Sequence, residues 1–147
     1  MEFGIAIPTG ARSWETAKRA EALGFHDAWF FDTPLLNAEI FVAMGAAAMQ
    51  TSRIRLCTGV LIPSGRISPV AASGLASLNA LAPGRVVFGV STGFTARRTL
   101  GLPPVTLGLM ETYVREVEAL LRGETIEWSG EGSARKVRFL NPELELI

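Results

Sequence analysis

Short apolar segments alternate along the chain with longer segments of helical periodicity. Strands are predicted at four apolar segments, residues 3–7, 28–31, 54–62 and 86–90. Helices are predicted at residues 14–23, 39–49, 69–81 and 107–122. Ser13 is predicted to cap the first helix, and Gly24 and Gly123 are predicted to end helices, because glycine readily adopts the left-handed backbone that follows a helix. The pattern predicts four consecutive β–α units.

The spacing of these units favours a barrel. The predicted strands begin every 25 to 32 residues, and an eight-unit barrel of about 250 residues has about this period. Strands that are apolar on both faces and joined by helices indicate a parallel sheet with right-handed crossovers. An open doubly wound sheet would give a similar pattern. However, residues 8–12 (PTGAR), which follow the first strand, lack the glycine pattern of a dinucleotide-binding turn.

The pattern changes after the fourth predicted helix. Residues 126–128 and 137–140 flank a segment, 129–133, that is rich in Gly and Ser, which predicts a β-hairpin. The chain then ends on residues 144–147 (LELI), where a further strand could begin. We therefore expect residues 1–147 to form one partial domain, the N-terminal half of a (β/α)8 TIM barrel, truncated after the fourth unit and its hairpin.

The composition indicates that this protein exposes more apolar surface than a typical water-facing domain. Hydrophobic residues make up 48% of the chain and charged residues 19%, so we expect another molecule to cover part of the apolar surface. If ten inward side chains each left ~100 Å² uncovered, about 25 kcal/mol of burial would be forgone. That exceeds the typical domain stability of about 5–15 kcal/mol. We expect the apolar face of the half-barrel to be covered either by a second copy of this chain or by a separately encoded C-terminal half. The alternative is that the chain is a degraded, inactive remnant.

Charge and cysteine content narrow the partners and the compartment. The chain has 14 Lys and Arg against 14 Asp and Glu, which gives no electrostatic basis for binding nucleic acid or an anionic membrane. Its single cysteine, Cys57, lies in an apolar segment and is predicted to be a buried small hydrophobe, as in a reducing compartment. With no secretion signal and no apolar segment of about 20 residues, we expect a cytoplasmic protein.

Three stretches of sequence resemble the luciferase-like monooxygenase superfamily. They are residues 24–32 (GFHDAWFFD), residues 58–63 (TGVLIP) continuing through 66–69 and 81–85, and residues 87–95 (VFGVSTGFT) continuing through 97–101. The branch they resemble most contains methylenetetrahydromethanopterin reductase and other enzymes of the deazaflavin coenzyme F420. The resemblance covers nearly the whole chain but only about the N-terminal half of the family's domain.

The resemblance implies an oxidoreductase that uses coenzyme F420 or FMN on a small organic substrate, by hydride transfer or monooxygenation. It places Gly59-Val60 where this branch has a non-prolyl cis peptide against the cofactor ring. Asp32 would lie near the ring and substrate, and Thr92 and Gly93 would approach the cofactor's chain. Independently of the resemblance, the active site of a barrel lies at the C-terminal ends of its strands. There, Val60 and Phe94 are suited to form an apolar wall against a flat ring.

Two departures leave the catalytic groups unassigned. Thr33 stands where some deazaflavin enzymes have His, and Phe94 stands where some have Glu, so no catalytic acid or base is assigned. Instead of binding a ligand, Asp32 could cap the next turn. Gly59 and Gly93 could likewise serve only to form turns.

Two arginines are predicted to support the fold. Arg66 and Arg85 lie within the second stretch of resemblance, and both are predicted to be ion-paired supports of the barrel.

Overall fold

The computed structural model describes residues 1–130 and 132–146. The sheet consists of four strands, β1 (Gly4–Ile7), β2 (Asp27–Phe30), β3 (Arg55–Thr58) and β4 (Val86–Val87). The helices are α1 (Ser13–Ala22), α2 (Ile40–Ala48), α3 (Ser68–Leu81), α4 (Phe94–Arg98) and α5 (Leu107–Leu121). A hairpin of β5 (Ile126–Trp128) and β6 (Arg135–Val137) follows, and then a 3₁₀ turn, Pro142–Leu144.

The sheet has the strand order β1-β2-β3-β4, and every pairing in it is parallel. Each of the helices α1, α2 and α3 connects one strand to the next. An open doubly wound sheet reverses its strand order at a switch point, and this sheet does not. Of the two arrangements that the periodicity allowed, the structure has the sequential order of a barrel.

The two faces of the sheet have different surroundings. Ile7, Phe30 and Leu56 point to the helix side and are buried. Gly4 and Ala6 lie on the opposite face and are exposed, because successive side chains of a strand point to opposite sides. Helices α1, α2, α3 and α5 form a single layer in which each packs against the next. We call the uncovered side the inner face.

Small residues allow the helices to pack closely. A Cβ atom at Gly74 of α3 would lie 2.7 Å from the ring of Phe41 on α2, so the ring occupies the space that a side chain would fill. Ala43 and Ala47 on α2 are buried in the same layer. The small residues of these two helices therefore serve helix packing within the chain.

The third and fourth strands are shorter than predicted. The sequence predicted strands at 54–62 and 86–90, but β3 ends at Thr58 and β4 at Val87. The Thr58 hydroxyl donates to the Gly89 carbonyl (2.7 Å) and accepts from the Gly89 N–H (2.9 Å). A side chain thus replaces the regular ladder at this point, and pairing resumes only as an isolated bridge between Leu61 and Val90.

Other boundaries also differ from the predictions. Ser13 is the first residue of α1 rather than its cap, and its Oγ accepts from the Gly10 N–H (2.7 Å) and donates to the Pro8 carbonyl (3.1 Å). No element was predicted between the strand at 86–90 and the helix at 107–122, and this segment contains α4. Gly24 and Gly123, the predicted helix ends, have the expected positive φ angles of 87° and 79°.

The hairpin was predicted correctly, although its second strand begins earlier. Ile126 pairs with Val137 and Trp128 with Arg135, so β6 precedes most of the predicted segment 137–140. The tip at Glu131 lies outside the described residues, as does Ile147 of the predicted further strand 144–147. No helix in the described part of the chain is both long and apolar enough to cross a bilayer.

Candidate functional site

A cavity of about 390 Å³ opens at the carboxyl ends of the central strands. It is lined by the segments that follow β2, β3 and β4, namely Phe31, Asp32, Thr33, Leu36, Asn37, Gly59, Val60, Ile62, Ser91, Gly93, Phe94, Thr95 and Ala96. Five of the six residues predicted to bind a cofactor are in this lining. The sixth, Thr92, is not, and its carbonyl accepts from the Val105 N–H (3.0 Å).

Gly59 and Val60 form the turn by which the chain leaves β3. Their peptide bond is cis, as the resemblance implied for this position. The Gly59 N–H donates to the Phe30 carbonyl (2.7 Å), and a Cβ on Gly59 would lie 3.0 Å from the Cβ of Trp29. The turn is therefore fixed by β2 on one side, and its backbone lies in the cavity wall.

Gly93 brings a second backbone segment into the wall. It has a φ angle of 81° at the start of α4, and a Cβ there would lie 2.4 Å from Cγ2 of Ile62. Both observations require glycine, the first because other residues rarely adopt this φ. Phe94 follows at the cavity mouth, with 66% of its surface exposed, so its ring is available to a ligand.

Asp32 is buried at the base of the cavity, with 7% of its surface exposed. Its Oδ2 accepts from the Ile62 N–H (3.3 Å) and from Nη1 of Arg66 (3.1 Å). Arg66 also pairs with Glu39, and its guanidinium lies 4.8 Å from the centre of the Phe41 ring. Burial raises the pKa of Asp32, and the charge of Arg66 and the Ile62 N–H oppose that shift only in part.

The prediction that both arginines are ion-paired is confirmed for Arg66 and wrong for Arg85. The Arg85 guanidinium donates to the Thr51 hydroxyl (3.0 Å) and to the carbonyls of Ile54 (3.2 Å), Thr51 (3.2 Å) and Ala48 (3.3 Å). It has no carboxylate partner among the described residues. Arg85 supports the barrel through neutral acceptors because the chain surrounds it with carbonyls at this point.

The sequence analysis did not single out part of the lining, including Leu36 and Asn37. These residues reach the cavity because the chain turns back after β2. The Asn37 N–H donates to the Thr33 carbonyl (2.9 Å), and the Ala38 N–H donates to the Thr9 carbonyl (3.0 Å). Pro34 signals a turn in the sequence, but the second of these bonds joins segments that are far apart in the chain.

Comparison with known proteins decides the family. The family model described as luciferase-like monooxygenase matches residues 1–144. This chain belongs to the luciferase-like monooxygenase family. The resemblance predicted from three stretches of sequence is therefore confirmed, and their parts at the ends of β2, β3 and β4 line the cavity of this luciferase-like chain.

Proteins similar to the luciferase-like chain include an F420-dependent enzyme. The chain is 30% identical to 5,10-methylenetetrahydromethanopterin reductase of Methanolobus tindarius over 138 residues, covering 89% of this chain and 41% of that protein. It is 42% identical over 90 residues to F420-dependent glucose-6-phosphate dehydrogenase of Beutenbergia cavernae, covering 60% of this chain and 26% of the relative.

A solved structure shows the same fold. The coenzyme F420 dependent tetrahydromethanopterin reductase of Methanopyrus kandleri superposes with a TM-score of 0.69 and 28% identity, over 82% of this chain and 39% of that one. The luciferase-like chain thus spans about two fifths, or less, of the length of these three proteins.

Proposed function

We propose that this cavity binds the deazaflavin ring of coenzyme F420, and that the chain supplies the N-terminal half of an F420-dependent oxidoreductase acting on a small organic molecule. The observation that carries the proposal is the convergence of five predicted residues, from three separate segments, on one cavity. Relatives that are named for coenzyme F420 support the choice of cofactor.

The residues present fit a flat ring. Binding sites for small molecules are mostly apolar, have volumes of about 300–1000 Å³ and contain a few polar groups that fix orientation. Val60, Ile62 and Phe94 provide apolar walls, and Asp32 and Ser91 provide polar atoms. FMN has a ring of the same shape and is the alternative cofactor; the F420 relatives favour the deazaflavin.

Each part of the site has a stated role in the proposal. When bound, the cofactor supplies the hydride chemistry. Val60 and Phe94 hold the ring and exclude water, and the backbone of Gly93 approaches the cofactor's chain. Asp32 is fixed through Oδ2, and Oδ1 receives no hydrogen bond from the described residues, so Oδ1 is the atom that faces a donor on a ligand.

We further propose that a C-terminal half of the barrel covers the inner face of the sheet. The basis is length, since residues 1–147 span 41% and 39% of two of the proteins described above. The second half would supply four more strands beside the free edges of β1 and β4. A cytoplasmic location, where reduced cofactors are available, belongs to the same proposal.

Cofactor titration tests this function. The purified protein is titrated with coenzyme F420 and with FMN, each oxidised and reduced, and binding is followed by fluorescence. We expect micromolar binding of F420. Phe94→Ala removes an exposed wall of the cavity and should weaken binding about tenfold, or ~1.4 kcal/mol. Leu107→Ala, at an equally exposed leucine outside the lining, is the control and should bind as the parent does.

Three results would overturn the proposal in different ways. Binding of FMN alone would reject the deazaflavin and keep the site. Equal weakening by Phe94→Ala and Leu107→Ala would place the ligand elsewhere. No binding of either cofactor would favour the alternative, a non-catalytic remnant or oligomerising scaffold of the same fold.

A further inference from the structure

A second cavity, of about 550 Å³, lies outside the first on the helix layer. It is formed by the start of α3, the first three turns of α5 and the hairpin, and its lining includes Ile67, Leu109, Tyr113, Glu116 and Trp128. The two cavities share no lining residue. This second cavity, which we call the hairpin cavity, has no role in the function proposed above.

The wall of the hairpin cavity contains a half-buried carboxylate without a counter-charge. Oε2 of Glu116 accepts a hydrogen bond from the Ser68 hydroxyl, and no Lys or Arg among residues 1–130 and 132–146 forms an ion pair with Glu116. A carboxylate that is partly removed from water favours a cation beside it.

The neighbouring elements do not provide that cation. Arg66 is close enough to Tyr113 to act on it electrostatically, but it is already paired with Asp32 and Glu39. Helix α3 contains no charged residue. On α5, Arg115 pairs with Glu111 (2.6 Å), and Arg122 pairs with Glu124 (2.7 Å). Arg135 lies opposite Trp128 in the hairpin but forms no ion pair with Glu116. The positive end of α3 lies near Ser68 and offsets part of the charge of Glu116, but one oxygen, Oε1, receives no hydrogen bond from the described residues.

Two aromatic residues complete the polar part of the cavity. Trp128 is half-buried, and a Cβ at Gly130 would lie 2.3 Å from its indole ring, so Gly130 packs on the ring. Tyr113 is 4% exposed, and its hydroxyl has no hydrogen-bond partner within the described parts of the chain.

The outer part of the cavity is apolar. Leu109 is 54% exposed and Ile67 is 42% exposed, and Pro63 lies beside them in the lining. A ligand that fits has an apolar body against these side chains and a positive group towards Glu116 and Trp128, because an indole face attracts cations. An anion would be repelled by Glu116.

We infer that the hairpin cavity binds a small organic ammonium ion with an apolar body. Glu116 and the indole of Trp128 hold the ammonium group, and Ile67 and Leu109 contact the apolar part. The inference stands without the proposed function, since no residue of the F420 cavity takes part in it.

Calorimetric titration with phenethylammonium tests this inference. Phenethyl alcohol has the same apolar body without the charge, and phenylpropionate has the opposite charge. We expect the ammonium to bind with a dissociation constant of about 1 mM or lower, at least tenfold more tightly than the alcohol, and the anion not to bind. Quenching of indole fluorescence, lost in Trp128→Leu, should accompany binding.

A matched pair of variants locates the charge. Glu116→Gln keeps the acceptor for Ser68 but removes the charge, and should weaken ammonium binding at least tenfold. Glu118→Gln removes the same charge from the exposed face of the same helix and should leave binding unchanged. Circular dichroism melting confirms that each variant is folded.

The inference is overturned if ammonium and alcohol bind equally, if neither binds at low-millimolar concentration, or if Glu116→Gln binds as the parent does. Should Glu116→Gln fail to fold, the comparison of the three ligands on the parent protein still decides. Because F420 titration is a separate measurement, loss of cofactor binding with retained ammonium binding would reject the proposed function and leave the hairpin cavity in place.

Discussion

Asp32 shows what a single residue contributes to this site. Its partners, Arg66 and the Ile62 N–H, lie 34 and 30 residues further along the chain. The sequence left Asp32 as either a ligand-facing residue or the cap of a turn. The structure shows a buried carboxyl held by non-local partners, which is a requirement for holding a side chain rigidly against a ligand.

Cys57 gives a prediction at the same scale. The thiol is fully buried beside Trp29 in the register of β3 and β2, and burial, followed by the nearby charge of Asp27, raises its pKa to about 12. Since only the thiolate is nucleophilic, about one molecule in 10⁴ is reactive at pH 8.

We therefore expect iodoacetamide to leave Cys57 of the native protein unmodified at pH 8, as measured by mass spectrometry. Modification should be complete in denaturant, which serves as the positive control. Alkylation of the native protein at the rate seen in denaturant would show that the inner face does not shield the thiol.

At the scale of elements, the turns after β3 and β4 shape the site more than the strands do. The Thr58 hydroxyl replaces ladder bonds to Gly89, so the chain leaves the sheet at Gly59 and returns only at Leu61. Helix α4 then begins at Gly93. Both turns bring glycine backbone, at Gly59 and Gly93, to the cavity wall beside the apolar side chains that follow.

Two glycines at the start of helices test this arrangement. Gly93→Ala adds a methyl group in a left-handed conformation against Ile62 and should lower the free energy of unfolding by about 1–3 kcal/mol. Gly108→Ala, in the first turn of α5 with nothing within 4 Å of the added atom, should raise it by up to about 1 kcal/mol. Urea denaturation measures both, and changes of the same sign would contradict the assigned role of Gly93.

At the scale of the molecule, the inner face is less apolar than the sequence suggested. Its strand residues include Gly4, Ala6 and the ion pair of Asp27 with Arg55 (2.5 Å). Cys57 is already buried. The forgone burial of about 25 kcal/mol assumed ten large inward side chains, and that assumption is wrong because most of these residues are small or charged. The free edges of β1 and β4 remain the stronger reason for a partner.

Association of the isolated chain tests the proposed covering of this face. Without a second half, we expect the chain to self-associate in sedimentation velocity runs. Ala6→Lys places a charge on the exposed inner face and should shift the protein towards monomer, whereas Ala22→Lys, exposed at the end of α1, should not. A monomer at every concentration would contradict the expectation.

The sequence by itself determined the order and type of the main elements and the family. Hydrophobic periodicity is a local property, so it located α1, α2, α3, α5 and the hairpin to within a few residues. Glycines at helix ends and at 93 also carry local information, because their positive φ angles favour glycine. Five of the six predicted cofactor residues consequently line one cavity.

Only the tertiary structure decided which residues meet. The sequential strand order, the Asp32–Arg66 pair, the neutral partners of Arg85 and the hairpin cavity around Glu116 all join residues that are distant in sequence. The physical reason is that periodicity fixes which face of an element is buried, whereas hydrogen bonds and cavities depend on how those faces pack against one another.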